Sequence, residues 1–260
     1  MLTAIDRRSI YGELPKGRVI FSACDSKYFM EYAGSFACSA VANGFNVHIH
    51  VVNPTEDVFS YAGMISTASD KKCTFTFHDM DFSCNPEDEQ VLSYYASCRF
   101  LVAPHILRFA QQMLVLDIDG LIMKSFDFPQ KAIGYFKREP LEGADEWLKK
   151  GSIIAAGAIF LDIRAQDICD SIVQQLTILP QRWFNDQVAL YNVLRNLPES
   201  DVELFSVSMI DHQFNPESFV WTAKGNRKYK SQTYINQKTL WDEKIANIAS
   251  VPIPRPFLFL

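Results

Sequence analysis

The feature that most limits what this chain can fold into is an early switch of apolar period. Residues 18–23 (RVIFSA) form a short apolar run, the mark of a buried strand. Across 28–41 the apolar positions become Phe29, Tyr32, Ala33, Phe36, Ala37, Ala40 and Val41, the i, i+3, i+4, i+7 repeat of one helix face. Asp25 or Ser26 can cap that helix, and Gly44 can end it. Asn46–Val52 (NVHIHVV) returns to strand and stops at Asn53 and Pro54. Strand, helix and strand in that order pair the strands in parallel and lay the helix over the sheet.

The alternation continues, with strands expected at 73–77, 113–118 and 152–162 and helices at 89–103, 165–176 and Asn185–Leu194. The expectation is an α/β chain with a Rossmann-like, mainly parallel sheet flanked by helices. It is read as one domain over 1–260, irregular from about Gln213 onward. The last ten residues, VPIPRPFLFL, either pack on the body or touch a partner.

Composition narrows the partners. The 260 residues are 48% hydrophobic and 21% charged, enough for a sizeable core. A net charge of -5 argues against nucleic acid as the main partner, so the basic stretch KGNRKYK (224–230) needs another explanation. No apolar run nears the roughly 20 residues of a transmembrane helix. The N-terminus, MLTAIDRRS, lacks the apolar stretch of a signal peptide, and a cytoplasmic protein is expected. Six scattered cysteines form no CxxC pair and no metal-ligand spacing, which reads as reduced thiols.

The chemistry concentrates in MLVLDIDGLI (113–122). Residues two apart on a strand share a face, so Asp117 and Asp119 would aim two carboxylates at one point near the strand's C-terminal end. Open α/β sheets bind ligands at that edge. Paired carboxylates repel unless a proton or cation lies between them, and a hard ion such as Mn²⁺ or Mg²⁺ with phosphate oxygens suits the pair. The bland reading is a strand end carrying two solvated aspartates. No GxGxxG and no GxxxxGK[ST] competes. LDIDG also resembles the opening motif of haloacid-dehalogenase-type phosphatases, where the first Asp is a nucleophile. That family places the motif at its first strand, whereas more than a hundred residues precede it here.

A second resemblance covers about residues 18 to 230. FSACDSKY (21–28), YASCRF (95–100), MLVLDID (113–119), AAGAIFLD (155–162), WFNDQ (183–187) and AKGNRK (223–228) resemble, in order, the motifs of GT-A nucleotide-sugar glycosyltransferases of the glycogenin-like, family 8-like branch. The resemblance implies a GT-A fold and a hexose moved from a nucleotide sugar, most simply UDP-hexose, to a glycan, lipid, protein or small-molecule acceptor. Retention of anomeric configuration is also implied. Ala23, Cys24, Asp25 and Tyr28 would hold the uridine, although Asp25 could simply cap the next helix. Asp117, Ile118 and Asp119 would contact the donor, and the two aspartates would hold Mn²⁺ or Mg²⁺. Arg99, Ala156 and Gly157 would line the donor sugar. Lys224, Gly225 and Lys228 would neutralise the departing diphosphate. Asp186 and Gln187 would face the anomeric carbon, or Asp186 would merely complement a helix dipole.

Two positions depart from the pattern. Ala155 stands where that family usually carries Asn, and Thr222 where it carries a metal-binding His. His212 is the candidate substitute as metal ligand; a lone His beside Gln and Asn is more often a structural hydrogen-bonder, and water or the diphosphate itself could fill the position instead. These departures keep open a GT-A-shaped binding protein without turnover.

Overall fold

The computed structural model describes residues 10–82, 85, 87–223 and 225–247. The expectations for the signal region, for Lys224 and for the VPIPRPFLFL tail fall outside them. The elements follow in order as β1 (Ile10–Tyr11), β2 (Arg18–Asp25), α1 (Ser26–Ala42), β3 (Asn46–Val52), α2 (Glu56–Ala68), β4 (Cys73–His78), α3 (Glu89–Ala110) and β5 (Gln112–Leu116). They continue as β6 (Leu121–Ile122), β7 (Ile133–Lys137), α4 (Glu146–Ile153), β8 (Ile154–Asp162), α5 (Gln166–Ile178) and α6 (Asn185–Leu194). The last are β9 (Val202–Leu204), β10 (Ile210–Asp211), β11 (Val220–Trp221), α7 (Arg227–Lys230) and α8 (Gln232–Ala246).

An eight-stranded sheet runs β1-β4-β3-β2-β5-β8-β7-β9, and β10-β11-β6 form a small second sheet. The β2–β3, β3–β4, β2–β5 and β7–β9 pairs are parallel. The other pairs of the large sheet, β1–β4, β5–β8 and β7–β8, are antiparallel. This places the site. β2 and β5 deliver their C-terminal ends to one edge, and antiparallel β8 delivers its N-terminal half to the same edge, with Leu116 opposite Ala158.

Both faces of the central strands are buried. Along β2, Ile20 and Cys24 join the core shared with α1, whereas Val19, Phe21 and Ala23 join the core under α3. That alternation is the two-residue period of a strand buried on both sides.

Helix α2 (Glu56–Ala68) is not among the expected elements, and four further departures stand out. Helix α3 continues past residue 103 through Pro104, whose ring is buried, and ends at Gln111 in the left-handed region (φ 66). Strand β5 stops at Leu116, because Gly120 N–H donates to Asp117 O (2.8 Å) and folds 117–120 into a turn. Residues 152 and 153 close α4, and β8 begins at Ile154. The segment after Gln213, expected to be irregular, contains α8, a 15-residue helix in which only Tyr234 and Ile245 are buried. So thin a stripe gives no sequence period, and docking stabilises the helix instead. Ile245 packs beside α1, where a Cβ on Gly34 would lie 3.3 Å from Ile245 Cγ1. Tyr234 joins Leu121, Phe214 and Trp221 and donates its hydroxyl to Asp119 O (2.7 Å). Among the described residues no helix is long and apolar enough to cross a membrane.

If α8 is integral, Tyr234→Ala should cost about 3–5 kcal/mol as a buried aromatic truncation. Tyr234→Phe, which loses only the hydroxyl donor, should cost about 1 kcal/mol. Urea unfolding of the three proteins measures both.

Candidate active site

A cleft of about 660 Å³ opens where β2, β5 and β8 meet, and segments far apart in sequence line it. Ala23, Cys24, Asp25 and Tyr28 come from the end of β2 and the start of α1, and Arg99 from α3. Asp117, Ile118 and Asp119 come from the turn after β5, and Ala156 and Gly157 from β8. Asp186 and Gln187 open α6, and His212, Gly225 and Lys228 follow. Every sequence-derived candidate among the described residues therefore borders this one space.

Arg99 is the centre of the site. It is 7% exposed, on the face of α3 against the sheet. Its Nη1 meets Asp117 Oδ1 at 3.0 Å and its Nη2 meets Asp186 Oδ2 at 3.0 Å. Nη2 also donates to Ala156 O (3.3 Å). The guanidinium keeps its charge at any relevant pH, and its planar fork can serve two carboxylates at once. Burial pushes the Asp186 carboxyl above the usual range, opposed by Arg99 and by the backbone N–H of Gln187.

The two aspartates do not share a strand face as expected. Both lie in the turn, and each meets a different cation. Asp117 turns to Arg99, with Oδ2 in the space over Gly157, where a Cβ would come to 2.8 Å. A side chain at this position would have to displace the Asp117 carboxylate. Asp119 is buried, and its Oδ2 meets Lys228 Nζ at 2.6 Å. Its other oxygen, Oδ1, is buried with no hydrogen-bond partner among the described residues. Burial first, and the charge of Asp117 second, raise the Asp119 carboxyl to about 6 against the pull of Lys228.

Lys228 sits among aromatic faces, 4.6 Å from the Tyr28 ring centroid and 4.8 Å from that of Tyr32. Gly225 precedes it at φ 58, a conformation that favours glycine. Asp25 acts as the cap of α1, accepting from Tyr28 N–H at 2.7 Å, and also borders the cleft. His212 Nδ1 bonds Thr222 Oγ1 (2.6 Å), so these two residues form a pair at the rim.

The residues present fit a hard divalent cation. The donor set is carboxylate, and the orphaned Oδ1 of Asp119 is the buried acceptor that such an ion would satisfy. Asp117, Asp119 and His212 do not converge as a preformed three-donor cluster among the described residues. Side-chain cations hold both aspartates instead.

Sequence reasoning missed Arg138, just beyond β7. It borders the cleft, and its Nη2 donates to Gln187 Oε1 (2.7 Å) and Ile154 O (3.1 Å). Arginine has no acceptor, so the carboxamide oxygen of Gln187 must face it. The amide nitrogen of Gln187 then remains without a hydrogen bond among the described residues. Arg138 and Gln187 lie 49 positions apart, and no local pattern marks the pair. Trp183, half exposed, and Phe184, at φ 71 before α6, also border the cleft.

No protein-family model matches the sequence, and no curated protein matches it. Solved structures do. The bifunctional glycosyltransferase WbbM, in its apo form, aligns with TM-score 0.58 and 12% identity over 90% of this chain and 52% of its own. This chain thus spans about half the length of WbbM. Galactosyltransferase LgtC, in complex with donor and acceptor sugar analogues, aligns with TM-score 0.55 and 14% identity, covering 90% of this chain and 97% of LgtC. Apo glycosyltransferase GlyE of Streptococcus pneumoniae TIGR4 aligns with TM-score 0.56 and 10% identity, over 93% of this chain and 65% of GlyE. The fold of this chain is GT-A.

Removing the central cation should expose its importance. Arg99→Met leaves Asp117 and buried Asp186 without a cation and should lower stability by about 3–5 kcal/mol. Arg99→Lys, which keeps the charge, should lose less. Chemical denaturation at pH 7 separates the two.

Proposed function

We propose that this chain is a glycosyltransferase that moves a hexosyl group from a nucleoside diphosphate sugar, UDP-hexose, to a hydroxyl acceptor with retention at the anomeric carbon. The observation that carries the reading is one GT-A cleft joining a carboxylate turn, a caged lysine and an Asp-Gln helix start around Arg99. The acceptor is a glycan, lipid, protein or small molecule.

Each residue has a role its chemistry permits. Tyr28 offers an exposed ring beside the end of β2 for the uracil base, and Ala23, Cys24 and Asp25 form the wall around it. Lys228 is already placed as the cation of this region, and a diphosphate would draw it from Asp119, with Lys224 and Gly225 in the same loop. Asp117, Asp119 and His212 would hold Mn²⁺ or Mg²⁺, which when bound supplies Lewis-acid neutralisation of the leaving diphosphate. Arg99 keeps Asp117 and Asp186 at fixed separation, with Ala156, Gly157 and Ile118 lining the sugar. Asp186 places negative charge where positive charge develops at the anomeric carbon. Gln187, held by Arg138 through its oxygen, offers N–H donors to a sugar hydroxyl.

One observation favours a second reading, a sugar-nucleotide-binding protein without turnover. Ala155 and Thr222 border the cleft where more polar ligands are expected from the resemblance. The phosphatase reading has no support in a GT-A frame.

A donor panel with free UDP as readout, run with each divalent metal, tests the proposal. Metal-stimulated UDP release from one UDP-hexose is expected; calorimetric binding with no release from any donor would favour the second reading. Asp117→Asn should abolish metal-dependent UDP binding. Arg138→Met should leave UDP affinity within about twofold but lower sugar-transfer kcat roughly 10-fold or more, the loss of a positioned hydrogen bond in the transition state.

A further inference from the structure

Beneath α3, outside the cleft, three metal-binding side chains converge. His50 lies on β3, His78 ends β4 and Cys98 lies on α3, and their nearest donor atoms are all within 4.8 Å of one another. His50 and Cys98 are buried, and His78 is partly exposed. We propose that these three residues form a zinc-type metal site, separate from the carboxylate site and independent of any glycosyl transfer.

The hydrogen bonds around the cluster match what a ligated imidazole needs. The outward nitrogen of His50, Nδ1, lies 2.7 Å from Thr76 Oγ1, and that of His78, Nε2, lies 3.0 Å from Tyr94 Oη. Metal-bound histidines use the distal N–H in this way, which fixes the tautomer and turns the other lone pair toward the ion. The chain of partners can carry that polarity to its end. If His50 Nδ1–H donates to Thr76, the Thr76 hydroxyl donates to His48 Nε2 (3.0 Å). His48 Nδ1–H then donates to Thr74 Oγ1 (2.8 Å), and the Thr74 hydroxyl donates to Val47 O (3.4 Å). Every hydroxyl is used once, in agreement with a single donor proton each.

That polarity leaves His50 Nε2 as a lone pair 2.6 Å from His78 Nδ1. Without an ion, His78 Nδ1–H can donate to it while the Tyr94 hydroxyl donates to His78 Nε2; a bound ion would replace that proton, and His78 Nε2–H would then donate to Tyr94. A tetrahedral zinc site would set its nitrogen and sulfur donors roughly 3.3–3.6 Å apart, from Zn–N near 2.0–2.1 Å and Zn–S near 2.3 Å. The present donor atoms, all within 4.8 Å of one another with the two imidazole nitrogens at 2.6 Å, bracket that spacing. Two imidazoles and a thiolate suit Zn²⁺ or its reporter Co²⁺, whereas Mn²⁺ and Mg²⁺ prefer the oxygen set of the cleft. Binding replaces the thiol proton of Cys98 by a metal–sulfur bond and releases that proton to solvent. The ion would tie β3 and β4 to α3 one residue before Arg99.

The test uses the full chain, with Asp117→Asn as background to silence the cleft. Protein treated with chelator, reloaded with Zn²⁺ and desalted should retain about one zinc per chain. Reloading with Co²⁺ should give a thiolate-to-cobalt charge-transfer band, a direct signature of cysteine ligation. Both should be lost in His78→Gln, whose partly exposed position tolerates the change, and in Cys98→Ser. Trace zinc and no cobalt band in protein that still carries Cys98 and His78 would overturn the proposal, with no variant needing to fold. So would a full zinc equivalent and an unchanged band in the His78→Gln protein.

Discussion

The bridge from Arg99 to Asp117 and Asp186 is the interaction on which the site depends. Asp117 and Asp186 come from distant segments, and two carboxylates near one buried point repel unless a proton or a cation lies between them. The guanidinium supplies it from a third element, α3, which the core beneath it holds against the sheet. Sheet order makes the meeting possible. Parallel β2 and β5 end at the same edge, antiparallel β8 starts there, and Asp117 N–H donates to Gly157 O across the β5–β8 seam (3.0 Å).

The second ion pair, Asp119 with Lys228, has a different character. Asp119 is buried, one of its oxygens is unmatched, and its carboxyl is held above the usual range. Such an arrangement is costly in the folded state and becomes favourable when a ligand supplies charge on both sides. An anion could take Lys228 and a cation could take Asp119, and a metal-bound diphosphate brings both. The C-terminal helix takes part in this through Tyr234, which holds the Asp119 backbone oxygen. The chain's last described helix is thus coupled to the turn that carries the carboxylates.

Much of this was legible from residue pattern. The β2–α1–β3 unit could be read because its apolar periods are clean, and Asp25 caps α1 as its position suggested. The motif order carried the cleft, since the ends of β2 and β5, the first half of β8 and the start of α6 meet at one edge, and Arg99 reaches it from the middle of α3. What could not be read was set by tertiary contact. Helix α8 buries too few side chains to leave a period. The turn at 117–120 separates the aspartates that strand geometry would have aligned, because Gly120 closes it through backbone bonds. Arg138 has no neighbour in sequence that signals Gln187, and the histidines of β3 read as ordinary strand residues until β4 and α3 bring His78 and Cys98 beside them.

The central claim is that the Asp119–Lys228 pair holds the place a metal-bound sugar nucleotide takes. A crystal structure of the chain grown with Mn²⁺ and UDP tests it most directly. The account predicts Lys228 moved from Asp119 to the pyrophosphate, with Asp117 and Asp119 facing the ion and the Arg99–Asp186 contact intact. An undisturbed Asp119–Lys228 pair, with the nucleotide bound elsewhere or not at all, would contradict it.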